Sequence, residues 1–321
     1  MEINEIIRLL RKKQKTSQGE VSKGIMSRTS YSRFEKGERA LSTSEYTKIM
    51  NRLRAHATDL NDIENLETVE LNLIRTKHLA AFEKNIPKNE LEELYFMLEK
   101  RVNETPQFYR AYLFTKLHFH TYSERIPNIT EEEKENLFQE LVQFKHWTNF
   151  YIKIIMDFTV IFTSEQLIYL LNRLEKYRIE WISAIDCQYL HILPGALSNI
   201  ADSLIDHAVL DQEKIDASLF PHILKACKKL KQIMDLRPSF DYGLLLKLHC
   251  IRLEYFSADS KKTKELALNK AEKFLEEALF INQLKDFDGN QIKTTAEIVQ
   301  NSLTNLIELG RPSTEIKYFT V

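Results

Sequence analysis

Glycine and proline are scarce in this 321-residue chain, at 7 each. That removes the punctuation on which turn-rich β proteins rely. Strand-length alternation of apolar and polar residues is also rare, so sandwiches and barrels are set aside for an all-α chain. Cysteine occurs 3 times, at Cys187, Cys227 and Cys250, without metal-type spacing. A disulfide framework and a zinc module are thereby excluded, and the odd number fits reduced thiols in a cytoplasm. No window approaches ~18 uninterrupted apolar residues, so no membrane span is expected. The N-terminus MEINEIIRLLRKKQK is amphipathic and basic, without the apolar core of a signal peptide. Walker, G-x-G-x-x-G, G-x-S-x-G and H-E-x-x-H motifs are all missing, so no enzyme and no cofactor are expected. His118 and His120 are two apart, diverge by about 200° on a helix, and so form no metal site.

What the chain has is helix-forming material and uneven charge. Leu, Ile, Glu and Lys dominate, and 43% apolar content is enough for a sizeable core. Residues 1–56 hold 13 Lys and Arg against 6 Asp and Glu, a balance of +7; the whole chain is −1, which leaves −8 for the rest. A basic N-terminal piece on an acidic body suits a DNA-binding head on a domain that does not bind DNA.

The stretch SQGEVSKGIMSRTSYSRFEKG, residues 17–37, organises the reading. Ser17 with Glu20 three residues on is a capping-box spacing, and a short helix runs from Gln18 to Lys23. Gly24 ends it. Ser27 caps a second helix over Arg28 to Lys36, closed by Gly37. On that helix Tyr31 and Phe34 share one face. Thr29, Ser32, Arg33 and Lys36 occupy the other, with Arg28 at its margin. An apolar anchor behind a basic, hydroxyl-rich front is what a DNA recognition helix needs, since arginine pairs with guanine and threonine meets the thymine methyl. A solvated amphipathic hairpin has the same pattern. The preceding helix, about Asn4 to Lys15, places Ile3, Ile6, Ile7 and Leu10 to cover this pair. A further helix after Ser42 or Ser44 turns Tyr46, Ile49, Met50 and Leu53 inward.

These residues resemble the helix-turn-helix of the Cro/C1 repressor superfamily. The run GIMSRTSYSRFEKGERALS is similar in particular to the Rgg-type regulators and their relative PrgX, which sense peptide pheromones. The turn Gly24-Ile25-Met26-Ser27 departs from the commoner superfamily turn by about one residue, as is typical of the Rgg group. The close match covers about 60 residues; beyond it the resemblance is one of length and helical character. A fifth helix beginning at Asp59 completes a five-helix head at 1–65, and the resemblance implies an Arg11–Glu35 bridge that braces the head and can aim Arg11 at a phosphate. It implies base reading by Arg28, Thr29 and Arg33, and phosphate contacts from Ser17, Gln18, Lys36 and Arg39. The partners it implies are an operator duplex, a short apolar signalling peptide and further copies of the chain, in a homodimer or a higher oligomer.

From residue 66 to 310 the chain reads as successive helices, among them 164–181, 187–208, 211–235 and 261–282, broken at prolines or Asn, Asp and Ser clusters. Ala267, Ala271, Phe274 and Ala278 resemble the second helix of a tetratricopeptide unit. No strict 34-residue period can be written, so the expectation is a degenerate tetratricopeptide-like α-solenoid, with an irregular bundle as the alternative. Asn149, Asn172, Asn199, Asn301 and Asn305 are candidates to hold an extended peptide's amides, and Arg173 or Arg252 its carboxylate. Residues 311–321 have strand propensity and read as a flexible tail or a segment that covers a partner or groove. Two other functions stay open: a protein–protein adaptor whose head only docks, and a phosphorelay enzyme of related architecture, against which the +7 head argues.

Overall fold

The structure, a computed structural model, describes residues 3–53, 66–83, 85–144, 147–177, 189–209, 215–284 and 295–310. Two compact units form, 1–128 and 129–321. The expected fifth head helix begins in 54–65 and the tail occupies 311–321; both lie outside the described residues.

The first unit holds α1 (Ile3–Lys13), α2 (Gln18–Ser22), α3 (Arg28–Glu35), α4 (Thr43–Arg52), α5 (Leu66–Phe82), α6 (Lys88–Arg101) and α7 (Pro106–Phe119). Local chemistry fixes the head's boundaries. Ser17 Oγ accepts the Glu20 N–H at 3.2 Å while the Glu20 carboxylate accepts the Ser17 N–H at 2.6 Å. Ser42, rather than Ser44, repeats this box with Glu45 at the start of α4. Gly24 and Gly37 turn the chain in the left-handed region, at φ 71° and 77°. One apolar cluster gathers Ile6, Ile7, Val21, Tyr31, Phe34 and Ile49. Ile3, expected inside, is 46% exposed: it sits in the first turn of α1 at the rim of an open cavity that it lines with Phe34 and Tyr46. A separate cluster joins α5, α6 and α7 through Ile74, Leu91, Leu94, Leu98 and Phe108.

The second unit runs α8 (Glu131–Gln143), α9 (Asn149–Phe158), α10 (Ser164–Leu174), α11 (Tyr189–Ala208), α12 (Phe220–Leu236), α13 (Phe240–Phe256), α14 (Lys261–Asn282) and α15 (Ala296–Gly310). From α11 onward each helix packs on the next, while α11 also touches α13 and α13 touches α15. That neighbour-and-next-neighbour order is how stacked helix pairs share a core. Ala267, Ala271 and Ala278 are buried with Phe274, as expected of close-packed small residues. Among the described residues there is no strand, only an isolated antiparallel bridge between Val209 and Ile215. No described helix is long and apolar enough to cross a membrane.

Two expected helices are corrected. The one over 211–235 begins only at Phe220, after a 3-10 turn, because Pro221 takes the first helical turn, where its missing N–H costs nothing. The one over 164–181 stops at Leu174. Pro194, read as a break, lies inside α11 instead.

At Gly195 in α11, an added methyl group meets Met156 Sδ at 2.6 Å and the Tyr242 hydroxyl at 2.9 Å. At Gly243 in α13 the nearest atom is Met234 Cε at 3.6 Å, an ordinary contact. Gly195→Ala is therefore expected to lower stability by ~1–3 kcal/mol through overpacking. Gly243→Ala is expected to raise it by ~0.5–1 kcal/mol through helix propensity. Thermal melts of the two variants should move in opposite directions; a shared sign contradicts the packing described.

Candidate nucleic-acid interface

The interface begins with what holds α3 in place. Tyr31 is fully buried and Phe34 is 2% exposed, their ring centroids 6.0 Å apart. Burial drives the Tyr31 hydroxyl well above its usual range, so it stays neutral. At the end of α3, Glu35 is buried as well. Its carboxylate receives Arg11 Nε at 2.6 Å and Arg11 Nη2 at 2.9 Å, a two-pronged pair, and Gln18 Nε2 at 2.7 Å. One carboxylate thus ties α1, α2 and α3 together. Burial pushes the Glu35 carboxyl upward, but the Arg11 and Gln18 hydrogen bonds and the Arg11 charge outweigh it, and the group lies below its ordinary range.

With that side fixed, Arg28, Thr29, Arg33 and Lys36 are all exposed, and Ser32 is half-buried. Arg33 Nε lies 3.6 Å from Glu38 Oε2, both well exposed, a pair too solvated to hold the arginine firmly. The three residues expected to read bases therefore lie together on the open side of one helix, with Lys36 at its end.

The expected phosphate contacts divide. Lys36 is open. Ser17 already caps α2, and its N–H is taken by Glu20. Gln18 spends its amide on Glu35, so its side chain serves the clamp. Arg39 donates to Glu45 Oε1 at 2.7 Å and to Met26 Sδ at 3.3 Å. Arg11 is 12% exposed and uses its third nitrogen on the Thr16 carbonyl at 3.0 Å. Of the five N–H groups of Arg11, the three that bond within the head make bracing its principal role, and the phosphate contact expected of it rests on the remaining two.

Sequence reading missed Arg52. Its Nη1 donates to the Val21 carbonyl at 2.9 Å and the Glu20 carbonyl at 3.2 Å, and also to that of Lys23. It thereby closes the carbonyl end of the five-residue α2. The available signal was a very short helix followed by a basic residue in the last turn of α4.

In the second unit several candidate peptide residues have partners within the fold. Asn199 Nδ2 donates to the Met156 carbonyl at 2.8 Å, tying α11 to α9. Asn172 accepts from Lys225 Nζ at 2.9 Å. Asn149 is half-buried in the first turn of α9. Arg173 and Arg252, the candidates to receive a ligand's carboxylate, are likewise engaged within the fold. Arg173 donates to the Leu141 carbonyl at 3.0 Å and to that of Phe144, with its guanidinium 4.1 Å over the Trp147 ring. Arg252 already holds two carboxylates, Asp206 at 2.6 Å and Asp202. Asn301 and Asn305 remain exposed, one turn apart on α15.

One constellation looks hydrolytic in outline. Ser198 Oγ lies 2.9 Å from His249 Nε2, and His249 Nδ1 lies 3.8 Å from Asp202. Both Ser198 and His249 are 1% exposed. Burial and the Arg252 charge push His249 down to about 3. A substrate has no route to the serine, and Arg252 has claimed the aspartate, so the group is structural. Among the described residues no cluster of three or more His, Cys, Asp or Glu is placed to bind a metal.

Residues 7–60 match the helix-turn-helix family. No curated protein matches the chain by sequence alone. Several solved structures match over nearly the whole length. A cysteine-to-serine variant of the Streptococcus dysgalactiae SHP pheromone receptor Rgg2 is similar at TM-score 0.65 and 14% identity, over 95% of this chain and 98% of that one. Bacillus thuringiensis PlcR, solved with the peptide PapR7 and DNA, is similar at TM-score 0.58 and 14% identity, over 94% and 98%. ComR from S. thermophilus, solved with DNA and its signalling peptide ComS, is similar at TM-score 0.54 and 16% identity, over 96% and 99%. At these identities the likeness establishes the fold.

The Glu35 clamp has a pH signature. Its folded-state pKa is depressed, so its stabilisation is present above the usual carboxylate range and is lost as pH falls through the folded value. Glu35→Ala strands Arg11 and should cost the head ~3 kcal/mol at neutral pH. Glu35→Gln should lose less and should flatten the acid dependence. Hydrogen exchange of α1 and α3, corrected for intrinsic rates, reads both. Unchanged acid dependence in Glu35→Gln removes the clamp from the account.

Proposed function

We propose that this chain is a sequence-specific, DNA-binding transcription regulator of the Rgg and PrgX kind, switched by a short signalling peptide bound in its helical body. The observation that carries the DNA half is the placement of Arg28, Thr29 and Arg33. They share the open side of α3 while Tyr31, Phe34 and the Arg11–Glu35–Gln18 clamp fix the other side. Such a helix enters the major groove with its side chains toward base edges, and Lys36 meets the backbone beside it. The peptide half rests on the likeness of the whole chain to receptors solved with peptides and DNA. The protein acts in the cytoplasm as a homodimer, its two heads reading half-sites about one helical turn apart or a multiple of that. The peptide shifts the balance between arrangements of the heads only by binding one of them better than the other. Asn301 and Asn305, both exposed and one turn apart on α15, are the pair proposed to meet its backbone amides.

Selection of preferred duplexes from a random pool, followed by titration, tests the DNA half. Arg33→Ala should lose ~1–3 kcal/mol and relax preference at one base position, while Lys36→Ala should weaken all sequences alike and lower the salt slope by about one. A protein with no sequence preference at moderate salt is an adaptor, and the proposal falls.

The peptide half is tested with synthetic peptides from short reading frames next to the gene. One of them should bind by calorimetry and change operator affinity, and Asn305→Ala should weaken it. If binding leaves operator affinity untouched, the switch is rejected.

A further inference from the structure

The second unit brings together two thiols that the sequence keeps apart. Cys227 lies on α12 and Cys250 on α13, helices that pack side by side. The turn between them spans 237–239, and each cysteine lies ~14 Å along its arm from that turn, at 1.5 Å per residue, so the two are level. Both are free thiols, Cys227 buried and Cys250 exposed, on helices that are in contact along their length. Lys270 of α14 and Glu254 also face Cys250.

The sulfurs differ in character. Its neighbour Cys227 holds the Cys250 thiol below its ordinary range, with Lys270 assisting against burial and Glu254. Cys250 and burial push the Cys227 thiol up. Cys250 is therefore the sulfur a solute can reach and Cys227 the protected one on the adjoining helix, the arrangement of an attacking and a resolving cysteine.

We infer that Cys227 and Cys250 form an oxidation site, in which a hydroperoxide reacts at Cys250 and Cys227 resolves the product as a disulfide within the chain. In the first step the Cys250 thiolate attacks the outer oxygen of ROOH. The S–O bond forms, the O–O bond breaks, and RO⁻ leaves, giving the sulfenic acid. In the second, the Cys227 sulfur attacks the sulfenyl sulfur. The S–S bond forms, the S–O bond breaks, and hydroxide leaves as water with the Cys227 proton. The two thiols lose two electrons in total, and the peroxide gains them. The cross-link staples α12 to α13 at mid-height, in a hairpin that otherwise joins only at its turn and through side-chain packing.

The test uses the full chain carrying Cys187→Ser, treated with a slight excess of hydrogen peroxide at neutral pH. Alkylation and peptide mapping should show both thiols lost together and joined within one chain, reversed by reductant. With Cys227→Ser added, dimedone should trap a sulfenic acid at Cys250. With Cys250→Ser added, oxidation of Cys227 should be at least tenfold slower. Thiols that stay alkylatable, a link between two chains, or equally fast oxidation of Cys227 without Cys250 overturn the inference. The parent measurement needs neither added substitution, so an unfolded variant does not rescue or sink it.

Discussion

A helix leaves its last backbone carbonyls without internal partners, and an all-α chain must satisfy that need many times over. Glycine caps are the common solution, and this chain has only 7 glycines in all. Beside the glycines at 24 and 37 it uses cations from other helices. Arg52 closes α2, Arg173 closes α8, and Lys229 of α12 donates to the carbonyls of Glu175 and Tyr177, just past α10, at 3.2 and 2.9 Å. Each contact does two things. It supplies the missing donors, and it sets positive charge at the negative end of a helix dipole. Because each donor comes from a separate helix, finishing one helix also positions another.

The head applies the same economy at a carboxylate. Glu35 is the last residue of α3, and its contacts with Arg11 and Gln18 settle how that helix is rotated. Rotation matters because 100° per residue separates anchor from reader: with Tyr31 and Phe34 inside, Arg28, Thr29 and Arg33 are outside. The reading surface therefore depends on an interaction that never touches it. A buried pair of this kind is weak as a source of net stability and strong as a determinant of geometry, since the alternatives strand a charge.

Much of this was legible in the sequence, and the reason differs from residue to residue. Ser17 with Glu20, Gly24 and Gly37 announce themselves because caps and left-handed turns act through neighbours in the chain. Ile6, Tyr31, Phe34 and Ile49 follow from periodicity. The helix over 261–282 was read to the residue because Ser260 caps it and nothing interrupts it. Arg52, Arg173, Arg252 and the engagement of Gln18 were not legible. Each is a contact between a side chain and a distant segment, and such contacts leave no repeating trace. Arginine and asparagine were assigned outward roles by chemistry alone, and that chemistry proved equally suited to partners within the fold. The cysteine pair escaped for a related reason: 227 and 250 become neighbours only once the turn at 237–239 is placed.

Arg252 reaches from α13 to two aspartates one turn apart on α11. A fork that grips two rungs of the same ladder resists sliding as well as separation, because a shift in either direction that improves one contact stretches the other. The fork thus adds directional preference to the packing that already holds α11 against α13. A rearrangement that keeps this register leaves both carboxylates matched, whereas one that slides α11 along α13 leaves a charge behind.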